Sequence, residues 1–339
     1  MPSWLPSWLA GLAITLACVA LPGCEKAGTP DAPAPAGNAA GGPAASDAAP
    51  AAGETPAAAA APATTDRRRI GVSLMNVQHS FYQDLRKGLE AEAARHGYEL
   101  LVVSADFNQT RQANQVDDFI VRKIDAIVLC PCDSMGVGAC ITAANEAGIP
   151  VFTADISNLS GKGKVVSHIA SDNQEGGRKA AELLAAAIGG KGKVAVLTHP
   201  EVASVMDRVA GFKEKIATHS DITIAAELSS GGQRDKAAKV MEDLLQSHPD
   251  LAGVFGVNDD SALGALAAIE AAGLGGKIKI VGYDATEEAR ARIADGSLYG
   301  DVIQNPQRIG ELTIGAVHDH LTGKTPPEVI PVEVGTHTK

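Results

Sequence analysis

The sequence predicts an α/β fold made of two lobes of like topology, and three observations carry that prediction. Short β-branched runs alternate with helical stretches at the spacing expected of parallel sheets covered by helices on both faces. The helical stretches stop at Gly97, Gly148, Gly273, Gly296 and Gly323, where a residue free to take positive φ is wanted. The pattern also repeats. Asp125-Ala-Ile-Val-Leu129 followed by Asp133-Ser134 is echoed by Leu251-Ala-Gly-Val-Phe255 followed by Asp260-Ser261, the two acids lying 127 residues apart. Each copy then runs through an Ala-rich helix and a glycine into a strand that ends on an acid, Asp155 in one and Asp284 in the other.

The elements follow in order from Arg67, where the folded body starts. Ile70 to Met75 reads as the first strand. Ser80-Phe81-Tyr82-Gln83 has the capping-box pattern of a helix start, with Phe81, Leu85 and Leu89 on one face. That helix stops at Gly97, and Tyr98 to Val103 is the second strand. Further strands are expected at Ala126–Leu129, Pro150–Ala154, Lys193–Leu197, Ile222–Ala226, Leu251–Val257 and Ile278–Tyr283. A body of about 270 residues is enough for one large or two modest cores.

The residues before the body are of another kind. Leu9 to Pro22 is an apolar run of signal-peptide length, too short for a transmembrane span. It ends in Leu21-Pro22-Gly23-Cys24, which resembles a bacterial lipobox, although no Lys or Arg precedes the run and Pro22 is an unusual neighbour. Residues 1–23 are therefore expected to be a lipoprotein signal peptide, with Cys24 the lipidated residue. The Ala/Pro-rich stretch 24–66 has almost nothing large and apolar to bury, so its composition is that of a tether.

Composition narrows the partners. A net charge of −11 and a pI near 5.3 argue against nucleic acid, which demands a basic face. With 4% aromatic residues, an extended base-stacking platform is excluded as well.

Enzyme signatures are missing. Gly136-x-Gly138 lacks a third glycine, and Gly323-Lys324-Thr325 has His318 where a phosphate-binding loop requires glycine. There is no Gly-x-Ser-x-Gly elbow and no His-Glu-x-x-His, and no cofactor or metal is expected. Cys130-Pro131-Cys132 with Cys140 is too few ligands for zinc. A disulfide is open to it in an oxidising compartment, but cysteines next but one on a strand stand about two residue rises apart, roughly 6.6 Å, farther than a bridge spans between Cβ atoms, which disfavours pairing Cys130 with Cys132. Buried free thiols are the favoured reading. The acids Asp155 and Asp284 allow two roles, paired carboxylates of a glycosidase or acceptors for vicinal hydroxyls at strand ends. Taken singly, each strand-end polar residue reads first as a helix cap or a loop-solvating group; their joint occurrence at strand ends shifts the balance toward binding.

From Arg68 onward the chain resembles the periplasmic sugar-binding proteins of ABC transporters, in particular the ribose and allose binders. The resemblance is carried by Val165-Val-Ser-His-Ile-Ala-Ser-Asp-Asn173 with Gly176-Gly177, Arg208-Val-Ala-Gly-Phe212 and His248-Pro-Asp-Leu-Ala-Gly-Val-Phe255. Asn258-Asp-Asp-Ser-Ala-Leu-Gly-Ala-Leu266 and Ile280-Val-Gly-Tyr-Asp284 extend it. It implies the type I periplasmic binding protein fold: two doubly wound parallel-sheet lobes joined by a three-strand hinge, crossing near Ala170, near Gln304 and near Glu328 to Val332. The first lobe would be 67–169 plus 305–328, and the second 170–304 plus 329–339.

The resemblance also implies a ligand held between the lobes by Asp155, Arg208, Asn258, Asp284 and Gln304, with Phe81 and Tyr82 as aromatic walls. Asn76 and His79 stand at the mouth of the first strand and join the set. The chemistry agrees: an Arg fork donates to sugar oxygens, carboxylates accept from adjacent hydroxyls, and aromatic faces pack on C–H groups. Departures from the ribose binders fall at Ile156 (an Arg there), Met75 (a Ser), His79 (an Asn) and Gly232 (a Phe). They point away from ribose toward another monosaccharide, a deoxy sugar or a polyol.

The function implied is a monomeric, non-enzymatic receptor, tethered by a lipid anchor in the periplasm or at the cell surface. It would deliver its sugar to an ABC permease and could also engage a chemoreceptor or sensor kinase. The alternatives are a LacI-like regulatory domain, which would need a helix-turn-helix where the signal stands, and a glycoside hydrolase using Asp155 and Asp284.

Overall fold

The computed structural model describes residues 67–339; the apolar run, Cys24 and the Ala/Pro-rich stretch lie outside the described residues. The first run of elements is β1 (Arg69–Leu74), α1 (Ser80–His96), β2 (Glu99–Ser104), α2 (Gln109–Val121), β3 (Ala126–Leu129), α3 (Gly138–Glu146), β4 (Val151–Ala154) and β5 (Val165–Ser171). A second run repeats it: α4 (Asn173–Ala187), β6 (Gly192–Thr198), α5 (Ala203–Ile216), β7 (Ile222–Ser229), α6 (Arg234–Ser247), β8 (Leu251–Gly256) and α7 (Asp259–Ala271). It continues through β9 (Lys279–Asp284), α8 (Glu287–Asp295) and β10 (Gly300–Ile303). The chain finishes with α9 (Pro306–Leu321), β11 (Val329–Val332) and β12 (Gly335–Thr338).

Two six-stranded sheets result, ordered β11-β5-β4-β3-β1-β2 and β12-β10-β9-β8-β6-β7. All pairings in the first are parallel. In the second only β12, beside β10, runs antiparallel. The α/β class and the two like lobes are as the sequence predicts. The central strands β3 and β4 are buried along their whole length, whereas the edge strands β2 and β7 are largely half-exposed. In each sheet the order reverses between the first and third strands of the run, β1/β3 and β6/β8, and a crevice opens beyond the carboxyl ends there.

The lobe boundaries differ from the sequence expectation at two places. β5 continues to Ser171, and β11 pairs with it, Val332 against Ser171, so 170–171 and 329–332 belong to the first sheet. The ladder carries them there: Asp172 N still donates to Val332 O (3.0 Å) before the chain leaves. The crossings therefore fall just after Ser171, between β10 and α9, and between β11 and β12.

Helix α1 is capped by His79, not by Ser80: His79 Nδ1 accepts from Phe81 N at 3.3 Å. Ser80 is the first helical residue, and Gln83 turns back to donate to the carbonyls of Val77 and Gln78. At the far end Gly97 closes the helix with φ 71°. Helices α4 and α5 approach so closely that a Cβ on Gly177 would strike the carbonyl oxygen of Arg208. That contact fixes the height of Arg208 over the second sheet.

Cys130, Cys132 and Cys140 are free and buried, the state the sequence favours. Burial pushes the Cys132 thiol up to about 12 and the Cys140 thiol to about 11. Both stay protonated and unreactive at neutral pH.

Candidate functional site

The carboxyl ends of the two sheets face one another across a cavity of about 420 Å³, including its mouth. Of the nine residues the sequence puts forward, His79, Phe81, Tyr82, Asp155, Arg208, Asn258, Asp284 and Gln304 line it. Asn76 does not. Its Oδ1 accepts from His79 N at 2.9 Å, a turn that presents the His79 ring, and its side chain faces a polar hollow outside the cavity. Phe107, His199, Val202, Ser204 and Val205 also line the cavity and escaped the sequence reading. His199 closes β6 just as Asp155 closes β4, so the rule that found the acids could have found it.

The two acids occupy equivalent places. Asp155 follows β4 with φ 66°, and Asp284 ends β9 with φ 121°. Neither caps a helix; Thr286 is the residue that caps α8. Tyr82 Oη donates to Asp155 Oδ2 at 2.9 Å, while the buried Oδ1 has no partner among the described residues. On the other side Gln304 Nε2 donates to Asp284 Oδ1 at 2.6 Å, with Arg208 Nη1 4.0 Å away. Burial pushes both carboxyls up, Asp284 well above the usual carboxylate range, against the pull of Arg208 on each. Such acids await hydroxyl donors.

Arg208 is held from one lobe only. Its Nε donates to Asn173 Oδ1 and its Nη1 to Val257 O, both at 2.8 Å, and its guanidinium lies 3.9 Å above the Tyr283 ring. The stacking and the two bonds leave the outer edge of the fork toward the cavity.

His79 reaches across from the first lobe. Because its Nδ1 accepts from Phe81 N, the neutral ring carries its proton on Nε2. That nitrogen lies 3.4 Å from Asp260 Oδ2, 3.3 Å from Asn258 Nδ2 and 3.9 Å from Asp284 Oδ2. Burial pushes the imidazole down, against the attraction of Asp260. Asn258 is also committed locally: its Oδ1 caps α7 through Ser261 N at 2.9 Å, and its Nδ2 donates to Gly232 O at 3.0 Å. For His79 and Asn258, cap and cavity wall are one role.

A second interlobe contact lies outside the cavity. Ser134 N donates to Glu201 O at 3.0 Å, and Ser134 Oγ accepts from Ala203 N at 2.9 Å. Helix α5, which carries Arg208, starts at Val202 with no side-chain cap of its own. Ser134, from the opposite lobe, supplies one.

Phe81 and Tyr82 meet edge to face, centroids 5.2 Å apart, and Met75 and Ile156 continue the apolar wall of the first lobe. Among the described residues no group of three or more His, Cys, Asp or Glu is placed to hold a metal ion. A cavity between two doubly wound lobes, apolar on one side and set with acceptors and an arginine on the other, defines a solute-binding protein.

The profile described as the periplasmic binding protein domain matches residues 70–325, and the chain belongs to that family. It is 36% identical over 271 residues to the ribose import binding protein of Bacillus subtilis strain 168, covering 80% of this chain and 87% of that one. It is 30% identical over 249 residues to the xylitol-binding protein of Mycolicibacterium smegmatis, covering 72% and 69%. Among solved structures it is similar to an ABC transporter solute-binding protein from Agrobacterium vitis bound with α-D-tagatopyranose. There the TM-score is 0.77 at 34% identity, with 80% of this chain and 95% of that one covered.

Proposed function

We propose that the chain is an extracytoplasmic receptor that takes a monosaccharide or polyol into the cavity between its lobes and hands it to an ABC permease. The observation that carries this reading is the convergence of Arg208, Asp284 and Gln304 from the second lobe on the Tyr82–Asp155 pair of the first. Carboxylate oxygens accept from hydroxyls, the fork donates to them, and Phe81 and Tyr82 cover C–H groups. The relatives named for ribose and xylitol, and the solved solute-binding protein bound with α-D-tagatopyranose, support the ligand class.

Ile156, Met75 and Gly232 all line the cavity. One donor fork and one ring that the ribose binders place there are thus replaced by apolar surface or space, and this favours a ligand other than ribose. Lipid anchoring at Cys24, and a further partner such as a chemoreceptor or sensor kinase, belong to the same proposal.

Calorimetry with D-ribose, D-allose, D-tagatose, xylitol and myo-inositol, beside a turnover assay on the matching glycosides, tests the reading. Stoichiometric binding without turnover is expected. Arg208→Ala and Asp284→Ala should each weaken the tightest binder by ~2–4 kcal/mol, because a buried charge or hydroxyl loses its partner. Wild-type affinity in both variants, or glycoside cleavage at catalytic rates, would sink the assignment.

A further inference from the structure

Phe107 holds a backbone conformation that its own side chain disfavours. Its φ is 58° and that of Asp106 is 50°, so two successive residues with side chains sit in the left-handed region. There a bulky residue is a genuine outlier, and such strain concentrates at ligand clamps. The surroundings hold it in place. Ala105 N donates to Leu74 O (2.9 Å), Phe107 N to Met75 O (3.0 Å) and Asn108 N to Ala105 O (3.0 Å). The Asp106 carboxylate takes a bond from Ser104 and pairs with Arg111, and Asn108 caps α2 through Arg111 N at 2.9 Å.

The ring that this turn presents is only half-buried and lines the cavity. It faces His199 of the second lobe, with centroids 6.4 Å apart and planes inclined by 52°. Beside His199 the second lobe presents a residue without a side chain: Gly232 has φ 65°, and a Cβ there would crowd Asn258 Nδ2 at 3.2 Å and His199 Nδ1 at 3.3 Å.

We propose that Phe107 is a specificity-determining residue: its ring, held by the strained turn, packs on a C–H-rich face of the bound sugar or polyol on the side where Gly232 presents no side chain of its own. This rests on the reading of the cavity as a sugar site. If the ring served only the core of its own lobe, removing it would cost stability and spare binding. If it is a clamp, a residue at ease with positive φ should relieve the turn while binding suffers.

The experiment compares wild type with Phe107→Asn, which tolerates the left-handed region, and with Phe107→Tyr, which keeps the ring. Melting is measured without ligand, and calorimetry uses D-ribose, D-allose, D-tagatose, xylitol and myo-inositol. Phe107→Asn is expected to melt no lower than wild type, yet to bind the tightest probe about tenfold or more weakly. Phe107→Tyr should stay within about threefold of wild type, since the stacking face is retained. Phe107→Asn binding at wild-type strength, or melting below wild type, overturns the proposal alone. A wild type that binds none of the probes overturns the sugar-site reading and this proposal with it.

Discussion

Asp155 and Asp284 are acids in an unusual electrostatic position, buried and at positive φ, and one oxygen of Asp155 has no donor among the described residues. Raised native-state values mean that the empty native protein holds more protons at these sites than the unfolded chain does. Their contribution to stability is therefore full below the unfolded carboxylate range, near pH ~3.9, and is lost as pH rises through the raised values. Asp284→Asn keeps the shape and can still accept from Gln304. Without ligand it should gain in melting temperature over wild type at pH 7.5 but hardly at pH 4.5, by about 2–4 °C for each kcal/mol. An equal difference at both pH values would show that ionisation of Asp284 is not the cause. The acids and amides at strand ends were legible because such residues there have few other uses in concert, whereas Arg208, inside α5, was reached only through the resemblance. Phe107 was not legible, since its role hangs on a backbone angle that no composition or spacing reveals. Asn76 misled for the opposite reason: an Asn after a strand serves a turn as readily as a ligand.

Helix α5 shows how an element can belong to both lobes. Its packing on α4, through Gly177, sets the position of Arg208, while the cap on Ala203 N comes from Ser134 across the cleft. Losing a cap costs ~0.5–2 kcal/mol, and here the loss falls on the closed arrangement alone. Ser134→Ala should weaken every bound probe by a common factor of roughly 3–30, leaving the ranking among probes unchanged. A change of ranking would mean that Ser134 acts on the ligand directly. Asp133-Ser134 was visible in the sequence as half of an echo, but its use was not. Its counterpart Ser261 bonds Ser230 within its own lobe at 3.0 Å, so the copies have parted in role. The boundaries at β5 and β11 followed the crossings that the resemblance implies near Ala170 and near Glu328 to Val332, and the polar Ser167, His168 and Ser171 of β5 leave no apolar pattern from which its end could be read.

At the scale of the whole molecule, the doubled α/β architecture was open to reading because regular alternation and a repeated unit leave few topologies. Lipid anchoring at Cys24, part of the proposed function, is tested at this scale. Cys24→Ser should release the protein from membranes, assayed by fractionation, without altering the affinity of the folded body for its sugar. Retention in the membrane fraction would rule out anchoring at that residue.

The supports of Arg208, namely Asn173, Val257 and Tyr283, all lie in the second lobe, and Gln304 is bonded to Asp284 beside them. That half of the cavity is therefore assembled before the lobes meet. The Tyr82–Asp155 pair is likewise complete within the first lobe, and only the His79 contacts and the cap from Ser134 need the lobes to meet. It follows that the contacts spanning the lobes are the ones that distinguish met lobes from parted ones, so removing the Ser134 cap should shorten the time a sugar stays and leave its rate of uptake nearly unchanged.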